Sequence, residues 1–165
     1  MAARLQTRST PPLANSSDAL LRQFIGYRIK RLHLKVREDM VETIETFGLR
    51  IGTFSALAVL MESPGISQSQ LAQVLKLTRS GVVVIVDELE TAGVLERAPV
   101  TGDRRMYALQ VTPAGQRLWE KVEPAVQAHE DALFSGLDTA EQQALRSLLD
   151  KAIGSATRHR RRKAN

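Results

Sequence analysis

Asp103-Arg104-Arg105 sets two neighbouring arginines beside a carboxylate, just past Thr101-Gly102, a pair suited to a tight turn. Guanidinium forks match phosphate oxygens, and an arginine on a projecting tip is held by the negative potential of a narrow DNA minor groove. In that arrangement Asp103 pairs with one arginine and fixes its direction, while the other points at the duplex. The same charges on an isolated turn would be no more than solvated side chains. The elements on either side must decide between the two readings.

On either side lie the short β-like runs "VLERAPV" and "MYALQV", which predict a hairpin. Before the hairpin, Ser67 with Gln70 three residues on predicts a capped helix carrying Leu71, Val74 and Leu75 inward. A tight turn at Lys76-Leu77-Thr78 leads into "RSGVVVIVDELETAG". Its Val82/Ile85/Val86/Leu89 spacing and closing Gly93 predict a helix rather than a buried strand. After the hairpin, Thr112-Pro113 opens a helix with Leu118, Trp119 and Val122, in which Pro124 predicts a bend. A final helix starts at Asp138 or Thr139, with Leu145, Leu148, Leu149 and Ile153 on its inward face. At the other end, apolar residues recur at helical steps from Leu21 to Phe47. They predict one helix from Ser17 to Phe47, about 45 Å long, that needs a partner along its length.

Helix, helix, helix–turn–helix, hairpin and two further helices make a mainly α fold with a small β-hairpin wing. That order is a winged helix-turn-helix lobe set between N- and C-terminal helices. The second helix of the motif would present its N-terminal residues to base edges in the major groove. Expected contacts are Gln68, Ser69, Thr78, Arg79, Ser80, Gly81, Val83 and Val84, with Arg104 and Arg105 on the wing. Arg79 opens its helix with a cation that opposes the dipole, which favours a phosphate partner.

Composition narrows the classes. The chain has 165 residues, 43% hydrophobic and 25% charged, enough for one domain with a core. It has no cysteine, which excludes disulfides and thiolate metal sites. His33, His129 and His159 lack metal-ligand spacing, so neither metal nor cofactor is expected. No apolar run suggests a membrane span, and a cytoplasmic protein is expected. The net charge of +5 resides in Arg158, Arg160, Arg161, Arg162 and Lys163; without them Lys and Arg equal the 18 Asp and Glu in number.

"SQSQLAQVLKLTRSGVVVIVDELETAGVLER", "TGDRRMYALQVTPAG" and "LDTAEQQALRSLLDKAI" together resemble the MarR family of bacterial transcriptional regulators, from about Asp18 to Ile153. The resemblance implies a homodimer, with dimerisation helices at about 17–47 and 113–157 and a DNA-binding lobe at about 49–112. Residues 1–16 are expected to form a disordered arm and 158–165 a basic tail. It also implies a pseudo-palindromic operator and a small, often aromatic and anionic, effector. Effectors of this class include aromatic acids and their coenzyme A thioesters. Such a ligand would meet Phe24, Tyr27, Arg28, Arg31, Phe54 and Trp119. The basic run from Arg22 to Arg37, which no acid interrupts, would attract it.

One departure stands out. Gly81, Val83 and Val84 replace the threonine or arginine common in the family, and they cannot form bidentate hydrogen bonds with bases. Thymine-methyl contact and shape readout would then favour an A·T-rich site. An architectural DNA-binding protein without effector is the alternative. No nucleophile–base pair or phosphate loop supports an enzyme.

Overall fold

The computed structural model describes residues 17–100 and 103–164, with the backbone alone described at 100, 103–106 and 157–164. The expected arm 1–16 and the turn residues Thr101 and Gly102 lie outside the described residues. The chain divides into two compact units, residues 1–37 and 38–165.

In the first unit the predicted single helix is broken. A 3-10 turn, Leu21–Gln23, ends at Phe24, which is extended (φ −91°, ψ 126°), and α1 begins only at Ile25 and runs to Glu45. The cause is Asp18. Its carboxylate accepts from Arg22 Nε at 2.6 Å, Tyr27 Oη at 2.9 Å and Arg31 Nη1 at 3.2 Å. In an unbroken helix Tyr27 would sit half a turn round from Asp18 and about 13 Å along the axis, out of reach. The break folds Asp18 back onto the start of α1. At the other end the predicted stop holds, with Gly48 at φ +70°.

The second unit contains α2 (Ile51–Glu62), α3 (Gln68–Leu75), α4 (Arg79–Thr91), β1 (Leu95–Val100), β2 (Asp103–Val111), α5 (Pro113–Leu133) and α6 (Thr139–Ala164). Each predicted cap is present. Ser67 Oγ accepts from the Gln70 backbone N–H while Gln70 Oε1 accepts from Ser67 N, and Thr78 Oγ1 accepts from Gly81 N. Asp138 and Glu141 form the same reciprocal pair before α6. The strands are antiparallel, with Leu95 opposite Val111, Arg97 opposite Leu109 and an irregularity at Pro99/Val100. A feature the sequence did not suggest is that Gly65 N donates to Leu109 O and Leu109 N to Ile66 O, both at 2.9 Å. The loop before α3 therefore lies along β2 like a short third strand.

Thr112 ties the hairpin to α5. Its hydroxyl donates to Gly93 O and accepts from Gly115 N, and its backbone N–H donates to Val94 O. A Cβ at Gly115 would lie 2.3 Å from Val94 O, so only glycine permits this approach. Helix α5 continues through Pro124 as one element.

The core gathers Ile44, Leu57, Leu60, Leu71, Val82, Val86, Leu89, Leu109 and Val122, all fully buried. Helix α6 differs from its prediction twice. Leu148 and Ile153 are 63% and 56% exposed rather than inward in this chain. The backbone also stays helical to Ala164, through the segment expected to be a tail. A run of arginines suits the C-terminal end of a helix, where the dipole favours cations.

Candidate nucleic-acid interface

Helix α4 has two faces. Val82, Ile85, Val86 and Leu89 point into the core, while Val83 and Val84 are 41% and 55% exposed. Thr78 Oγ1, besides capping the helix, lies 3.2 Å from Ser80 Oγ. Arg79 is exposed and has no carboxylate partner among the described residues. Gly81 is explained by the cap, since a Cβ there would lie 3.2 Å from Thr78 Oγ1. Thus Thr78, Arg79, Ser80, Val83 and Val84 form one outward edge over the first two turns.

The second half of α4 is acidic, and sequence reading assigned nothing to neutralise it. Arg97, on β1, donates to Asp87 at 2.5 Å and also pairs with Glu90. Arg50, before α2, pairs with Glu88. Each carboxylate of α4 is therefore held by a guanidinium, which removes much of the repulsion a phosphate backbone would meet there. Arg97 is the more covered partner, its side chain 25% exposed. It also orders α3: with its amide oriented to satisfy both partners, Gln68 accepts from Arg97 Nε and Nη2 at 3.2 and 2.9 Å. Gln68 thus faces the base of the hairpin, while Ser69 remains exposed.

Lys76 has a backbone conformation that the spacing did not suggest. It ends α3 at φ 54°, the only non-glycine with positive φ among the described residues. Such a position favours glycine, so a lysine there is held at some cost in strain. The side chains of Asp103, Arg104 and Arg105 lie outside the described residues, and with them the expected Asp103–arginine pairing.

The residues expected to meet an effector fall in both units. In the first, Phe24 is 64% exposed, and Arg28 Nε donates to Arg22 O at 2.7 Å. The basic run is not the free cationic face expected, because Asp18 takes both Arg22 and Arg31. The Arg22 hydrogen bond, followed by that of Tyr27, lowers the Asp18 pKa below 3.8. The same contact raises the Tyr27 phenol above 10.0. In the second unit, Phe54 and Trp119 stack with ring centroids 5.7 Å apart and 21° between planes. Both pack half-buried against the core. A cavity of about 500 Å³ opens beside Phe47, Leu49, Thr53 and Leu118, with the Arg50–Glu88 pair on its wall.

No described helix is long and apolar enough to cross a membrane. No group of three His, Cys, Asp or Glu among the described residues could hold a metal ion.

Comparison with known proteins identifies the relatives of the chain. The family model described as "MarR family" matches residues 47–106. A transcriptional regulatory protein named for the hcr operon in Thauera aromatica is 32% identical over 128 residues, 77% of this chain and 77% of that one. Among solved structures, the transcriptional repressor CouR bound to a 23-mer DNA duplex is similar with a TM-score of 0.80 at 30% identity, covering 84% of this chain and 99% of that one. CouR bound to p-coumaroyl-CoA is similar with a TM-score of 0.74 at 28% identity, covering 83% of this chain and 96% of that one.

Proposed function

The chain belongs to the MarR family of DNA-binding transcriptional regulators, and from that premise we propose that it is a homodimeric, cytoplasmic repressor of a pseudo-palindromic operator, released by a small aromatic anion. The observation that carries the reading is the outward edge of α4, free of unpaired acid. Thr78, Arg79 and Ser80 are proposed to meet bases, with Ser69 and Lys76 on phosphates and Arg104 and Arg105 on the adjacent minor groove. Two lobes related by a dimer axis would meet grooves about 34 Å apart.

The effector reading is supported by the similar repressor bound to p-coumaroyl-CoA. The residues proposed to respond are Phe24, Tyr27, Arg28 and Arg31 in the first unit and Phe54 and Trp119 in the second. An anion entering the cavity beside Arg50 would also compete with Glu88, a residue of α4. A hundredfold loss of operator affinity requires about 2.7 kcal/mol of coupling between the two ligands.

The test is a fluorescence-anisotropy titration on an operator selected from genomic fragments. Alanine at both Arg104 and Arg105 should weaken binding at least about tenfold and flatten the salt slope by about one or two units. Unchanged affinity refutes the wing assignment. Trp119 is the sole tryptophan, so its emission reports ligand entry beside Phe54. Aromatic acids or thioesters that bind should also release the DNA. Failure of every such compound to do so leaves an architectural or constitutive DNA-binding protein.

A further inference from the structure

We propose that Val83 and Val84 form a reader of pyrimidine C5-methyl groups, so that operator recognition turns on thymine methyls in the major groove and responds to cytosine methylation. The inference rests on the DNA-binding reading above and names what that interface recognises.

A recognition edge that discriminates by hydrogen bonding needs side chains with paired donors and acceptors. Here the second turn of the edge offers none. Val83 and Val84 are exposed, and their neighbours Val82, Ile85 and Val86 already fill the core, so neither valine is needed for packing within the lobe. Arg79 and Ser80 precede them by one turn on the same face, at the four-residue spacing that places side chains side by side. The acids that follow, Asp87, Glu88 and Glu90, are each bound by Arg97 or Arg50. The apolar pair is thus bounded by a cation on one side and neutralised carboxylates on the other, a surface compatible with a polyanion. CouR, the similar protein solved on a DNA duplex, supports the choice of occupant.

In the major groove the exposed apolar group is the C5-methyl of thymine, and 5-methylcytosine presents the same group on a G·C pair. Valine cannot distinguish the two through the methyl itself. Discrimination between A·T and G·C must come from Arg79, Ser80 and the shape of the site. The methyl contributes separately, at about fourfold in affinity for each one covered.

The experiment selects a site from a random duplex pool with the full-length protein, then rebuilds it with deoxyuridine in place of thymidine. Affinity should fall on the order of tenfold or more, with the protein unchanged. At each responding position the pyrimidine is then set in turn to T, U, 5-methyl-C and C. The order T over U should be matched by 5-methyl-C over C with a similar ratio. Val83→Ser with Val84→Ser should bind the T and U duplexes equally. Because both positions are exposed, its melting temperature should stay near that of the wild type. Equal wild-type affinity for the T and U sites overturns the methyl-reading proposal while leaving the regulator intact, as does a serine variant that keeps the preference. A pool that yields no enriched site overturns sequence-specific recognition itself.

Discussion

Helices α4 and α6 carry the same kind of apolar repeat and meet different fates. In 13 residues α4 buries Val82, Ile85, Val86 and Leu89 within its own chain. In 26 residues α6 buries none of its described side chains, and Leu148 and Ile153 face outward. Periodicity identifies which side of a helix is apolar but not what covers it. For α4 the cover is α2, α3 and the hairpin; on α6, Leu145 and Leu149 are half-buried beside Phe134, while Leu148 stays exposed among the described residues. A helix without a packed face is marginal in water. The simplest account is that α6 is completed by a second copy and α4 is not.

Two substitutions test that contrast directly. Leu89→Ala in α4 should destabilise the lobe by about 3 kcal/mol, with a melting temperature lowered equally at all protein concentrations. Leu148→Asp with Ile153→Asp in α6 should leave the lobe folded and dissociate the dimer, because an unpaired charge in an apolar interface costs several kcal/mol. Sedimentation should then report monomers where the wild type is dimeric, and wild-type melting should rise with concentration. A wild type that sediments as a monomer at micromolar concentration would break the contrast.

The sequence was most legible where local chemistry decides structure. Ser67/Gln70, Thr78, Gly93 and Thr112-Pro113 are signals that act within four residues, and each stands where it was predicted. It was least legible where distant charges meet. Nothing in the spacing shows that Arg97 reaches Asp87 and Glu90, or that Arg50 reaches Glu88, since those pairs exist only after the hairpin and α2 are packed on α4. Asp18 misled in the same way. Counted along the chain it is one acid at the edge of a basic run; folded, it breaks the first helix and takes two of the arginines. For the site, the outward edge of α4 followed from helix periodicity, whereas the strained Lys76 could be seen only in the backbone.

Lys76 sharpens the α4 side of the contrast. At φ 54° it accepts strain in the turn that leads into α4. Lys76→Gly should relieve that strain and stabilise the lobe by about 1 kcal/mol. Should the lysine be retained for phosphate contact, the same variant will bind operator more weakly and lower the salt slope by about one unit. A more stable variant with unchanged DNA affinity would reduce Lys76 to a structural accident.

The smallest effect concerns residues 17–37, which like α6 bury no side chain but are organised by polar contacts instead. Asp18 is the centre: its pKa is lowered first by Arg22 and then by Tyr27, so its contribution is present above the unfolded value near 4 and lost as pH falls through the lowered folded value. Tyr27 has the opposite sign. Its pKa is raised by the same hydrogen bond, so its contribution is complete below about 10 and lost as pH rises through the raised value. The Asp18–Tyr27 contact therefore spans the whole neutral range and fails at both extremes. Because these groups are only partly buried and remain solvated, its effect belongs in a titration rather than a melting curve. Tyrosinate absorbance, with Tyr107 replaced by Phe, should show Tyr27 titrating above the usual value. Asp18→Asn should bring it back down. If Tyr27 titrates alike in both proteins, the fold-back of Asp18 onto α1 does not persist in solution, and the break at Phe24 loses its cause.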